Sequence, residues 1–139
     1  MTDAGYRKKV LLVDDDPLHL EVATEMLKDE YEVSVAKSGK VALERLYKGY
    51  IPDLVLLDIL MPNMDGWEVF RRIRAISSLH DVPVAFFTSL TEKSEIEHAH
   101  NIGVAGYLVK PFKKEELLEM LVAMFDRTNE GENVGAVQT

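Results

Sequence analysis

Short apolar runs alternate along the chain with segments in which apolar residues recur every three or four positions. The runs indicate strands, because continuous apolar residues are typical of strands that are buried on both faces of a sheet. The spaced segments indicate amphipathic helices that turn one face toward a core. The predicted strands comprise residues 10–13, 32–36, 54–57, 82–87 and 105–109.

Helix-start signals precede the helical segments. Asp16 before Pro17 predicts an N-cap followed by a proline at the first helical position. The spacing of Ser89 and Glu92 is that of a capping box, which predicts a helix from there to about residue 102. The last helix follows Lys113, a poor capping residue that opposes the helix dipole.

Five alternations of strand and helix predict a parallel sheet with right-handed crossovers and helices on both faces. Of the two common doubly wound orders, five strands suit the flavodoxin-like order 2-1-3-4-5. We therefore predict an α/β fold with a doubly wound, five-stranded parallel sheet in that order. Its switch point lies between the first and third strands, which lead into Asp14, Asp15 and Asp58, while the fourth and fifth strands deliver Thr88 and Lys110 to the same edge.

The length, charge and composition of the chain limit the classes of protein to which it can belong. A chain of 139 residues is long enough for one domain with a real core, and its formal net charge of −8 argues against nonspecific binding to nucleic acid. No apolar run approaches the roughly 20 residues that span a bilayer, and the absence of cysteine excludes thiolate metal sites and disulfides. A cytoplasmic protein is expected. The histidines share no convincing spacing with the carboxylates and are interpreted as surface residues: His19, His80, His98 and His100.

Three carboxylates in one crevice repel one another unless a cation joins them. Oxygen ligands in a partly open site favour Mg²⁺, with Mn²⁺ as a substitute. Together with one lysine, such an ion makes the pocket neutral, so that it can admit an anion. We expect Asp58 to attack phosphorus and form an acyl phosphate, with Thr88 and Lys110 holding phosphoryl oxygens.

These segments resemble the receiver domains of response regulators in two-component signalling. The resemblance covers about residues 7 to 126 and is carried by residues 10–17, 56–66, 88–89 and 106–112. It implies that Asp58 is the phosphoacceptor and that Asp14 and Asp15 are the metal-binding pair. It also implies that Leu60 gives a backbone carbonyl to the metal.

The resemblance further implies how such a protein works. Thr88 matches the switch hydroxyl, Lys110 the phosphate-contacting lysine, and Tyr107 the aromatic residue that rotates inward on activation. The Lys110–Pro111 bond is expected to be cis, as is typical of the family. The phosphoryl donor is a histidine kinase or a phosphotransfer protein, and the signal passes to a downstream protein through the surface of the fourth helix, fifth strand and fifth helix. Such a domain is not an enzyme beyond its own phosphorylation and slow autodephosphorylation, and it is a monomer or a phosphorylation-dependent dimer.

Leu60 and Leu90 are predicted to border the water that hydrolyses the acyl phosphate. Neither side chain can orient a water molecule by hydrogen bonding, so the predicted phosphorylated state is long-lived. The alternative is that both leucines are simply loop packing.

Two other interpretations remain open. Asp14 and Asp16 also fit the Asp-x-Asp pair of haloacid-dehalogenase-like phosphatases, although the chain leaves no room for a cap domain. The chain could equally be the receiver part of a larger transcription factor or hybrid kinase. The predicted boundaries are a flexible start at residues 1–6, a receiver domain at 7–127 and a disordered tail at 128–139.

Overall fold

A five-stranded parallel sheet in the order β2-β1-β3-β4-β5 forms the centre of the computed structural model, which describes residues 6–129. All four strand pairs are parallel. The strands are β1 (Lys9–Val13), β2 (Glu32–Ala36), β3 (Leu54–Leu57), β4 (Val84–Thr88) and β5 (Gly106–Val109). The predicted fold class and strand order are confirmed.

Helices cover both faces of this sheet. They are α1 (Pro17–Leu27), α2 (Gly39–Tyr47), α3 (Gly66–Arg74), α4 (Lys93–Asn101) and α5 (Lys114–Asn129), with a short 3-10 turn at Ser77–Leu79. One buried cluster joins the sheet to α2, α3 and α4, and a second joins it to α1 and α5. The arrangement is the predicted three-layer sandwich.

The central strand β3 shows why the apolar runs are continuous. Val55 and Leu57 belong to the first cluster, whereas Leu54 and Leu56 belong to the second. All four side chains are fully buried. Because both faces of a parallel sheet are covered, every position needs an apolar residue. Burying one such side chain contributes about 1.5–3 kcal/mol.

The helix start predicted from the sequence is confirmed for α1 and wrong for α4. Asp16 caps α1 by accepting a hydrogen bond from the Leu18 N–H at 2.9 Å, as predicted. The predicted start of α4 at Ser89 is wrong, because the helix begins at Lys93 and its N-cap residue Glu92 makes no side-chain capping bond. The backbone just after Thr88 is instead hydrogen-bonded to the side chains of Thr88 and Tyr107.

Two other boundaries differ by two residues from the predicted ones. β4 begins at Val84 rather than at residue 82, because Pro83 lacks the N–H that a ladder requires. The helix α5 continues to Asn129, two residues beyond the predicted domain boundary at residue 127. Residues 1–5 and 130–139, which hold most of the predicted flexible start and tail, lie outside the described residues.

The first turn of α5 compensates for its weak cap. The Lys113 backbone N–H donates a hydrogen bond to Glu116 Oε1 at 2.8 Å, which is one half of a capping box. Within residues 6–129, no helix is both long enough and apolar enough to cross a lipid bilayer.

Candidate functional site

The ends of β1 and β3 bring two carboxylates together at the carboxyl edge of the sheet. Asp14 follows β1 and is 0% exposed, and Asp58 follows β3 and is 5% exposed. The Asp58 N–H donates to the Val13 carbonyl at 2.9 Å, which extends the pairing of the two strands to the site. Two of the predicted site residues are therefore buried neighbours at the predicted switch point.

Lys110 comes from the end of β5 and inserts its ammonium group between these carboxylates. Its Nζ lies 2.6 Å from Asp14 Oδ2 and 3.3 Å from Asp58 Oδ2. The same atom lies 4.8 Å above the centroid of the Phe87 ring. Since charged groups are rarely buried unless they are paired, the lysine offsets the charge of the two acids.

His19 is also part of this cluster. Its side chain is 42% exposed, as expected for a surface residue, but the interpretation that it is unrelated to the carboxylates is wrong. Its Nδ1 lies 2.8 Å from Lys110 Nζ and 3.2 Å from Asp14 Oδ2. The ring stands in the first turn of α1, which begins only three residues after Asp14. That closeness to the strand end was the available signal, because the first turn of such a helix faces the edge of the sheet.

Asp15 occupies a different environment from Asp14. Its side chain is exposed, and the group of potential metal ligands whose donor atoms lie within 4.8 Å of one another consists of Asp14, His19 and Asp58. Asp15 lies in the bend between β1 and α1 and outside this group, whereas Asp14 lies within it.

Burial raises the pKa of the Asp58 carboxyl above its ordinary value. The Lys110 ammonium is the strongest opposing influence, and Asp14 adds to the rise through repulsion between like charges. Hydrogen bonds from Thr88 and from the Leu60 N–H, the latter at 3.3 Å, also favour the ionised form. The net result is a carboxylate that is more basic than one in water.

Thr88 and Tyr107 both hold the backbone of Leu90. The Thr88 hydroxyl is fully buried at the end of β4 and accepts a hydrogen bond from the Leu90 N–H at 3.4 Å. The Tyr107 hydroxyl donates to the Leu90 carbonyl at 2.9 Å, and its ring packs edge-on against Phe86 at 6.1 Å. Burial raises the pKa of Tyr107. Thr88 and Tyr107 are thus connected through the backbone of a single residue.

The turn after Asp58 requires a glycine. A Cβ added to Gly66 would lie 2.7 Å from Ile59 Cα and closer still to the Asp58 carbonyl oxygen. The Gly66 N–H donates to the Ile59 carbonyl at 2.9 Å, and Asn63 takes a positive φ of 70° within the same turn. This close approach ties the start of α3 to the backbone that carries Asp58.

Apolar side chains surround the opening of the site. Leu60 is 50% exposed, and Leu90 is partly buried against the cluster on the α3 side. Both line one shallow groove with Met61 and Trp67. The place of the two leucines beside an attacking water and their effect on hydrolysis stay predictions.

The donor chemistry of the pocket fits a hard divalent cation. Asp14 and Asp58 are buried carboxylates with oxygens directed at one position, where the Lys110 ammonium now lies. Carboxylate oxygens are preferred ligands of Mg²⁺. The nitrogen of His19 is the one departure from an all-oxygen set.

Comparisons with known proteins agree with one another. The family model for the response regulator receiver domain matches residues 10–122. The chain is 32% identical over 114 residues to the chemotaxis protein CheY of Halobacterium salinarum, which covers 82% of this chain and 93% of that protein. It is 37% identical over 127 residues to the DNA-binding response regulator MtrA of Mycolicibacterium smegmatis, covering 91% of this chain.

A solved structure shows the same likeness. The Vibrio cholerae chemotaxis protein CheY4 superposes with a TM-score of 0.79 at 32% identity, over 86% of this chain and 99% of that one. The present chain spans only 23% to 56% of the length of three of its curated relatives.

Proposed function

This chain belongs to the response regulator receiver domain family, and from that premise we propose that it is a signalling switch phosphorylated on Asp58. The observation that supports the proposal most is the buried Asp58 carboxylate, which lies 3.3 Å from the Lys110 ammonium beside a second buried acid. Burial raises the pKa of Asp58, which means that its ionised form is stabilised by nearby positive charge, as perturbed groups at functional sites often are.

The proposed donor is a phosphohistidine of a histidine kinase or phosphotransfer protein. An oxygen of Asp58 attacks phosphorus, the P–N bond breaks, and the imidazole leaves with the bonding pair and takes a proton. Lys110 is already within reach of Asp58 and moves onto a phosphoryl oxygen, while Thr88 donates its hydroxyl to another. Catalysis is mainly positioning and charge stabilisation, as phosphoryl transfer generally requires.

The site is proposed to hold Mg²⁺, or Mn²⁺ in its place. Asp14 and Asp58 supply buried carboxylates, and Asp15 and the backbone carbonyl of Leu60 are the further proposed ligands. When bound, the cation neutralises charge that builds up on the phosphoryl oxygens.

The contacts of Leu90 suggest how the switch is read. When the Thr88 hydroxyl moves to donate to a phosphoryl oxygen, its oxygen moves away from the Leu90 N–H, from which it now accepts a hydrogen bond. Leu90 then shifts, and its carbonyl releases the Tyr107 hydroxyl, so that the ring can turn inward. Tyr107 lies on β5, and we infer that a downstream protein recognises the surface of α4, β5 and α5.

Other features of the proposal concern partners. The net charge of −8 favours a protein partner over direct contact between this domain and nucleic acid. The domain is proposed to act as a monomer or as a dimer that forms on phosphorylation, alone or within a longer chain. The phosphatase alternative gains no support, since Asp16 caps α1 rather than facing Asp14 as a proton donor.

Phosphoramidate tests the proposal, because its P–N bond resembles that of phosphohistidine. With Mg²⁺, the wild type is expected to take up one phosphoryl group per chain, and EDTA should suppress the uptake. Asp58→Asn should take up none. Asp65→Asn is the matched control, since this residue caps α3 outside the pocket and Asn caps equally well. Uptake by Asp58→Asn at the wild-type rate would refute the assignment.

A further inference from the structure

Three lone-pair donors converge on one cation in the pocket. The Lys110 ammonium lies 2.6 Å from Asp14 Oδ2, 2.8 Å from His19 Nδ1 and 3.3 Å from Asp58 Oδ2. The donor atoms of these three partners lie within 4.8 Å of one another. A divalent cation that displaces the ammonium group can be shared by all three.

The Lys110 ammonium indicates which nitrogen of His19 carries the lone pair. An ammonium group can only donate hydrogen bonds, so its 2.8 Å contact places the lone pair on Nδ1, although Asp14 Oδ2 also lies 3.2 Å from that atom. The proton is then on Nε2, which faces Asp16 Oδ2 at 3.4 Å, and Asp16 is itself fixed as the N-cap of α1. A histidine that ligates a metal is typically oriented in this way by a carboxylate on its other nitrogen.

We propose that His19 is a third protein ligand of the metal site and that it makes the site prefer a first-row transition ion such as Mn²⁺ over Mg²⁺. The inference rests on the proposed function only in placing a divalent cation with Asp14 and Asp58. Imidazole suits transition ions, whereas Mg²⁺ is bound through oxygen and keeps its waters. The nitrogen of His19 therefore adds affinity for Mn²⁺ and little for Mg²⁺.

Pulsed EPR of the full chain with one equivalent of MnCl₂ tests ligation directly, in a buffer free of nitrogen ligands. An imidazole nitrogen bound to Mn²⁺ modulates the electron spin echo at nitrogen frequencies. The wild type is expected to show this modulation, and His19→Leu to lack it. His80→Leu is the matched control, because His80 also stands beside a carboxylate, with Nδ1 3.0 Å from Asp81 Oδ1, but is exposed.

Calorimetric titration with MnCl₂ and MgCl₂ tests the preference. His19→Leu should bind Mn²⁺ at least about 10-fold more weakly while its Mg²⁺ affinity changes less than about 2-fold. Asp16→Ser keeps a good N-cap but removes the partner of Nε2, and should weaken Mn²⁺ binding about 10-fold.

A wild-type echo without nitrogen modulation overturns the proposal, as does an equal loss of both affinities in His19→Leu. Neither result bears on whether Asp58 is phosphorylated in Mg²⁺, so this inference and the proposed function can fail separately.

Discussion

Replacing Lys110 by Met should destabilise the protein, because it removes the cation that contacts both buried carboxylates. The Lys110 side chain is 11% exposed, and those of Asp14 and Asp58 are 0% and 7% exposed. Methionine keeps the apolar stem that packs beside Phe87, so the charge is the main change.

The size of the effect follows from this burial. Removing one partner of a buried ion pair costs about 3–5 kcal/mol, since the remaining charge stays desolvated. Asp58 can take up a proton, because its pKa is already raised by burial, and this limits the cost. We therefore expect a loss of about 3 kcal/mol in the free energy of unfolding at pH 7.5.

The loss should depend on pH in a defined direction. Lys110 is the strongest influence that lowers the pKa of Asp58, so its removal lifts that pKa further above the value in the unfolded chain. At a pH between the pKa of Asp58 in the unfolded chain and its higher pKa in the native variant, the native state keeps a proton that the unfolded state releases. The free energy of unfolding then falls as pH rises, by up to about 1.4 kcal/mol per pH unit for one proton. The loss of unfolding free energy in Lys110→Met, relative to the wild type, should therefore be smaller at pH 5 than at pH 7.5.

Urea unfolding in EDTA, followed by circular dichroism at both pH values, measures these quantities. Lys28→Met is the matched control: it removes an exposed lysine whose Nζ lies 3.1 Å from Glu25 Oε1, and it should cost no more than about 1 kcal/mol. A deficit for Lys110→Met as small as the control, or one that grows at pH 5, would refute the reasoning.

Three other perturbations have expected outcomes. Leu60→Asn combined with Leu90→Glu should shorten the phosphorylated half-life in a ³²P decay assay, because polar side chains can orient the attacking water; an unchanged decay would show that the leucines only pack. Gly66→Ala should lower the urea midpoint strongly, because its Cβ would lie 2.7 Å from the backbone of Ile59; a midpoint equal to that of the wild type contradicts this close approach. Asp58→Asn should raise the metal-free melting temperature by removing a buried charge, whereas Asp15→Asn should leave it unchanged because Asp15 is exposed. Equal increases in the two variants would show that the Asp15 carboxylate is repelled by the other acids as strongly as that of Asp58.

The positions of Asp14, Asp58, Thr88 and Lys110 could be predicted because they follow from strand order alone. Each residue stands at the end of a predicted strand, and parallel strands bring their carboxyl ends to one edge. Strand order does not fix the side chain of Asp15, which lies in the bend after β1, and its role as a metal ligand stays a prediction. Asp15 is exposed where Asp14 is buried.

The positions of His19 and of the start of α4 depend on tertiary contacts, and the one sequence signal for His19 was its nearness to the end of β1. His19 enters the pocket because α1 is rotated so that Leu20 and Ala23 face the sheet, which turns the first turn toward Lys110. The capping-box spacing at Ser89 does not start a helix, because two contacts hold the backbone of the next residue, Leu90. Its N–H donates to the buried Thr88 hydroxyl, and its carbonyl accepts from the Tyr107 hydroxyl.

Locating the phosphoryl group on the chain tests the central claim most directly. After incubation with acetyl phosphate and Mg²⁺, borohydride reduces an aspartyl phosphate to homoserine, and peptide mass spectrometry then identifies the modified position. The account predicts homoserine at position 58 alone, and none at Asp14 or Asp15. Homoserine at position 14 with an unmodified Asp58 would contradict it.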